Sequence, residues 1–193
     1  AKLVFPDVNA LRYAFVGPLV GAISRAGTGW MADRYGGARV TFWVFLIQIV
    51  AILGMVWFLN AQSFPGFFGM VVLLFFMSGV GNASTFQMVP GIMRQAVDRA
   101  EAGLPEDRRR LQAERESAAV IGFTSAIAAY GAFYIPKAYG SSIELTGNPN
   151  MALWGFLVFY LSCAALTWYA YSGPRGILHK IERAPRRSST VPA

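Results

Sequence analysis

An all-α membrane protein of about five transmembrane helices is the fold this sequence predicts. Three observations lead there: an apolar composition, charges confined to short stretches, and apolar runs of membrane length. The 193 residues are 55% hydrophobic and 15% aromatic but only 14% charged, with a mean hydropathy of +0.43. A soluble domain would carry about a quarter charged residues. Segments of about 20 apolar residues cross a hydrocarbon core about 30 Å thick. Five are visible, at about 11–32, 40–59, 67–92, 118–136 and 151–171.

The breaks between the runs are equally readable. DRYGGAR (33–39) is a tight, charged, glycine-bearing turn, and NAQSFPG (60–66) is short and uncharged. Residues 94–117 hold six arginines and six acids, which predicts a long charged loop. KAYGSSIELTGNPN (137–150) is polar, with glycine and Asn-Pro turn signals. The expected organisation is an outer loop over 1–10, a helix bundle over 11–172 and a basic cytoplasmic tail over 173–193.

Orientation follows from the basic residues. Of 17 Lys and Arg, 13 fall on one side: Arg34, Arg39, the six in the 94–117 loop, and five in the tail. The positive-inside bias places that side in the cytoplasm and the N-terminus outside, as in a multi-pass protein of the plasma (inner) membrane. The same bias accounts for the net charge of +7 without invoking nucleic acid as a partner. Trp57, Trp154, Trp168, Tyr169 and Tyr171 lie near span ends, where amphipathic rings favour the interface. The chain opens with Ala1, and an outward N-terminus before an odd number of spans calls for a preceding span. The sequence therefore reads as a fragment of something longer.

Enzyme chemistry finds little to work with. Cys163 is the single cysteine and His179, in the tail, the single histidine. No thiolate or imidazole cluster can form, so no metal and no cofactor is expected. Ser24, Thr124 and Ser125 have no histidine or acid at membrane depth to act as a base, so no catalytic residue is assigned.

The sharpest feature is Arg25, inside the first run. Gly17, Gly21, Arg25, Gly29 and Asp33 follow at steps of four, so neighbours in the series share a helix face. Glycines on that face suit packing on protein. A guanidinium roughly 5 Å past the middle of a span demands an anion, a carboxylate or carbonyls. Three readings stand: a ligand for an anionic substrate, a structural partner for carbonyls or for a missing part, and a side chain snorkelling to inner headgroups. No Asp or Glu falls inside the five spans, which removes an ion pair with another span of this sequence.

Two other helices carry signals. Ala118, Gly122, Ser125, Ala129 and Ala132 form a small-residue stripe, for close helix packing or for backbone exposed to a small ligand. Pro136 is expected to end or kink that helix. Ser78, Asn82 and Thr85 share a face of the 67–92 helix, where they either bind helices together or line a cavity, and Pro90 should kink its end. In LPEDRRRLQAERE, Glu106–Arg110 and Arg110–Glu114 are spaced as i,i+4 pairs of a solvated helix.

Taken together, these segments resemble the C-terminal part of a nitrate/nitrite transporter of the major facilitator superfamily. GPLVGAISRAGTGWMADRYGGARVT is similar to the family's arginine-bearing eighth helix and the conformational loop motif after it, here Gly29, Asp33, Arg34, Gly36, Gly37 and Arg39. GVGNASTFQMVPGIMRQ resembles the tenth helix, and GFTSAIAAYGAFYIPKAYGSS the eleventh, with the second nitrate signature. Ala128 and Ala132 depart from the pattern, standing where glycine is common.

The resemblance implies helices eight to twelve of the fold, and secondary transport of nitrate or nitrite by alternating access. It implies that Arg25 is one of two arginines, one per half, that embrace the anion, with Gly122 and Ser125 beside it. Ser24, Asn82, Thr85 and Ala126 are the candidates for lining the cavity. The partners implied are nitrate or nitrite, the lipid bilayer and a missing N-terminal half. Nitrate is planar and monovalent, which suits the planar paired donors of a guanidinium. The spans lack a titratable carboxylate, which favours nitrate/nitrite exchange over proton symport. The alternative is a transporter of another small or organic anion, such as a phosphate ester.

Overall fold

The first expected span is two helices. The computed structural model describes Phe5, residues 12–101 and residues 103–172; the tail, and all of the 1–10 loop except Phe5, lie outside the described residues. Helix α1 (Val16–Gly27) stops at Thr28, and α2 (Gly29–Tyr35) resumes directly. Thr28 leaves helical geometry at φ −108° and ψ 3°, and its hydroxyl donates to the Ser24 carbonyl at 2.6 Å. The Thr28 N–H also donates to that carbonyl, at 3.0 Å, so the Ser24 carbonyl is shared between backbone and side chain at the point where α1 ends.

Gly36 ends α2 at φ +85°, a conformation strained for any side chain, and α3 (Gly37–Asn60) begins at once. The expected 33–39 turn is thus a single residue, with Asp33 and Arg34 on α2 and Arg39 on α3. All three side chains are exposed.

Two of the expected loops are largely helix. α4 (Phe64–Ala100) runs 37 residues through Pro90, and α5 (Glu106–Thr146) runs 41 residues through Pro136. Only 101–105 separates them, so the 94–117 segment is mostly a helical hairpin and not a loop. The residues explain this: Arg, Gln, Glu, Ala and Leu dominate 106–117, all strong helix formers. The two arms are tied by Arg109 to Asp98 at 3.1 Å and by Gln112 donating to Glu101 at 2.7 Å, over buried Val97, Ala113 and Ser117. Arg110 pairs with Glu114 at 3.2 Å, whereas no Glu106–Arg110 pair is present.

At the other end Pro136 does not stop α5, which continues ten residues to Thr146 and closes on Gly147 in the left-handed region at φ +73°. The 137–150 segment is therefore mostly helix too. Ser142 joins α5 to α6 (Asn150–Thr167), donating to the Asn148 carbonyl at 2.8 Å and accepting the Ala152 N–H at 3.2 Å. A π-helical turn, Trp168–Ser172, follows.

Among the described residues, four segments are long and apolar enough to cross a membrane: α3, α4, α5 and Asn150–Tyr171. The core lies between α3, α4 and α6, where Ile52, Met55, Leu59, Leu153 and Leu157 are buried together. Phe5 reaches into it beside Phe64, with ring centroids 5.5 Å apart. α1 packs on α4. By contrast, α5 touches its neighbours mainly near its two ends, and from Gly122 to Tyr130 every residue is exposed.

Candidate functional site

Close approach of α1 to α4 sets the position of Arg25. Gly79 of α4 is buried, and a Cβ there would run into the Ser24 hydroxyl and the Gly21 carbonyl, and would lie 3.0 Å from the Arg25 amide nitrogen. No side chain fits between these backbones. Ser24 is 3% exposed and donates to the Gly21 carbonyl at 3.0 Å. It fills the helix contact and does not line an open space, a correction to the expectation for that residue.

Arg25 itself is exposed and sits in the last turn of α1. Carbonyl groups at a helix C-terminus carry partial negative charge, so the break at Thr28 puts a favourable dipole beside the guanidinium. Its side chain runs along α4, with the guanidinium carbon 4.8 Å from the centroid of the Phe86 ring. It forms no ion pair among the described residues. Of the polar residues on α4, Ser78 is half-buried and accepts from Gln48 of α3 at 2.9 Å, so it binds two helices together. Asn82 and Thr85 are exposed, and Thr85 donates only to the Gly81 carbonyl of its own helix, at 2.9 Å.

The α5 candidates stand apart. Gly122, Ser125 and Ala126 are exposed, and a Cβ built on Gly122 would meet nothing within 4 Å. The stripe of small residues on α5 therefore packs against no helix among the described residues. A cavity of about 1240 Å³ separates the C-terminal half of α5, from Tyr130 to Leu145, from α3, α4 and α6. Tyr130, Tyr134, Tyr139, Tyr160 and Ser78 are among its lining residues; Arg25 is not. Arg25 and the α5 candidates are thus not brought into contact.

The loop motif is held by close packing. A Cβ on Gly29 would lie 2.6 Å from Gln87 Nε2, and one on Gly37 would lie 3.2 Å from the Ser84 carbonyl. Thr41 and Ser84 share a hydrogen bond of 2.8 Å nearby. Two residues escaped the sequence reading, Phe86 and the Thr28 break. Phe86 is 61 positions from Arg25, so no local spacing announces it, although its place one turn after Asn82 on the same face could have flagged it.

These features define a class: an all-α, multi-pass membrane protein, with an arginine held at a glycine-packed helix crossing. No family model matches the chain. Relatives narrow it. The nitrate/nitrite transporter NarU of Salmonella typhimurium is 43% identical over 181 residues, covering 89% of this chain and 38% of its own. NarU of Escherichia coli is 42% identical over 178 residues, with the same two coverages. The probable nitrate/nitrite antiporter NarK2 of Thermus thermophilus is 36% identical over 168 residues, 85% of this chain and 33% of its own. The chain is a homologue of the nitrate/nitrite transporters and spans 38% of the length of the two NarU relatives.

Proposed function

We propose that the protein moves nitrate or nitrite across the membrane, with Arg25 as an anion ligand. The observation that carries this reading is a guanidinium without an acidic partner in the described structure, anchored in a membrane-spanning chain whose relatives are named for those anions. A guanidinium presents coplanar donors that match a planar oxyanion two at a time. Holding such a cation in a low-dielectric space is costly without a counter-charge, and an entering anion lifts that cost.

Alternating access fits the same chemistry. Two fixed cations, one from each half of a carrier, would repel until an anion between them neutralises the pair, which links occupancy to closure. Exchange of nitrate for nitrite fits spans that hold no carboxylate to carry a proton. In this reading the 94–117 hairpin and the tail are cytoplasmic, the membrane is the plasma membrane, and the chain supplies helices equivalent to eight through twelve of a major facilitator carrier. The missing partner half would bring the second arginine, and Gly122, Ser125, Asn82, Thr85 and Ala126 would face the path. Gly29, Asp33, Arg34, Gly36, Gly37 and Arg39 would form the loop that changes with conformation.

The test is nitrate uptake by the intact protein in proteoliposomes. Arg25→Lys keeps the charge but loses the planar fork. A loss of most transport is expected, and uptake equal to wild type would refute the assignment.

A further inference from the structure

We infer that Phe86 is the positioning residue for Arg25, holding the guanidinium ready for the anion. The inference rests on the reading of Arg25 as a ligand. The α1 backbone is pinned where Gly79 meets Ser24 and the Arg25 amide nitrogen. Phe86 lies seven residues further along α4, two turns on and on the same face. Between these points the arginine side chain bridges one helix to the other, and its guanidinium carbon rests 4.8 Å from the ring centroid.

Chemistry makes that contact more than packing. An aromatic face attracts a cation through the ring quadrupole, more strongly where water is excluded. An arginine side chain otherwise spreads over many rotamers, and fixing it on ligand binding costs affinity. A ring that already holds the cation removes part of that cost. The arrangement also leaves room for the anion. The ring draws on the positive charge, whereas a planar oxyanion needs the N–H donors at the edge of the guanidinium. Ring and anion therefore use different parts of one group and bind together. Phe86 keeps its Cβ and ring position through α4, whose turn here is unbroken up to and beyond Pro90. Asn82, one turn before it on the same face, is exposed toward the same side.

The experiment compares intact wild type, Phe86→Leu, Phe86→Trp and Arg25→Gln in proteoliposomes, reading KM and maximal rate for nitrate. Loss of a cation–π contact corresponds to a roughly 2- to 30-fold change in an equilibrium constant. Phe86→Leu is expected to raise KM by a factor in that range while lowering the maximal rate by less. Phe86→Trp, which keeps an aromatic face, is expected to recover most of the loss. A Phe86→Leu variant with unchanged or lowered KM would overturn the inference, as would Trp and Leu behaving alike. A lowered KM would mean that the ring competes with the anion for the arginine.

A double-mutant cycle on thermal unfolding separates this inference from the transport reading. Phe86→Leu is expected to cost little further in an Arg25→Gln background. Additive losses would overturn the pairing even if wild type carried nitrate. Coupled losses in a protein that carried no nitrate would uphold the pairing and reject the transport reading instead.

Discussion

Gly79 faces Ser24 so closely that a methyl group on the glycine would occupy the space of the serine hydroxyl. The same methyl would press on two backbone groups, the Gly21 carbonyl and the Arg25 amide, and backbone cannot swing aside as a side chain can. This crossing, more than any polar contact, decides where Arg25 stands.

Gly79→Ala is therefore expected to force α1 away from α4. Overpacking of this kind costs about 1–3 kcal/mol. Thermal unfolding of the purified intact protein should show a lowered midpoint, and nitrate uptake should fall with it because the guanidinium moves with its helix. An unchanged midpoint would mean that the two helices are not held this closely.

A second expectation concerns the polar contact inside the bundle. Gln48 is 3% exposed and donates to Ser78 at 2.9 Å, a bond between α3 and α4 within the membrane span. Interhelical bonds in this setting average about 0.6 kcal/mol and reach about 1.7 kcal/mol. Ser78→Ala strands a buried amide and should cost more than the apolar pair Gln48→Leu with Ser78→Ala. Unfolding midpoints of the single and double variants decide this, and equal, additive losses would mean that the bond contributes nothing.

Ser125 offers a direct test of the proposed anion path. It is exposed on α5, with small neighbours Gly122 and Ala126 that leave it approachable. In a Cys163→Ala background, Ser125→Cys of the intact protein should react with a small water-soluble thiol reagent. Nitrate should slow that reaction several-fold if the residue lies beside the anion. Equal rates with and without nitrate would remove α5 from the path.

Much of the fold was legible because hydropathy and helix length are tied to the bilayer. The runs at 40–59, 67–92, 118–136 and 151–171 all lie within segments of membrane-spanning length. What hydropathy could not supply was where a helix stops outside the lipid. Glu106 to Ser117 is charged yet strongly helix-forming, and Pro136 sits inside a helix that continues through it, as membrane helices tolerate. At Thr28 the opposite holds: an apolar run of spanning length contains a change of backbone conformation, φ −108° and ψ 3°, that hydropathy does not register.

At the site, sequence could name Arg25 because charge is rare at such depth, and it could name the glycines beside it because their spacing repeats. It could not foresee that Ser24 closes the helix contact, nor that a ring on α4 receives the guanidinium. Both depend on which faces of α1 and α4 meet, and the spacing within one helix does not record the rotation of another.

The span from Glu106 to Thr146 has a mechanical meaning. At 1.5 Å per residue it is a rod about 60 Å long, roughly twice the thickness of the hydrocarbon layer it traverses. Its ends are joined, one to the tip of α4 through Arg109 and Asp98, the other to α6 through Ser142, while its middle, Gly122 to Tyr130, is exposed among the described residues. A tilt of about 5° around the midpoint of a rod this long moves its two ends by roughly 2–3 Å in opposite directions.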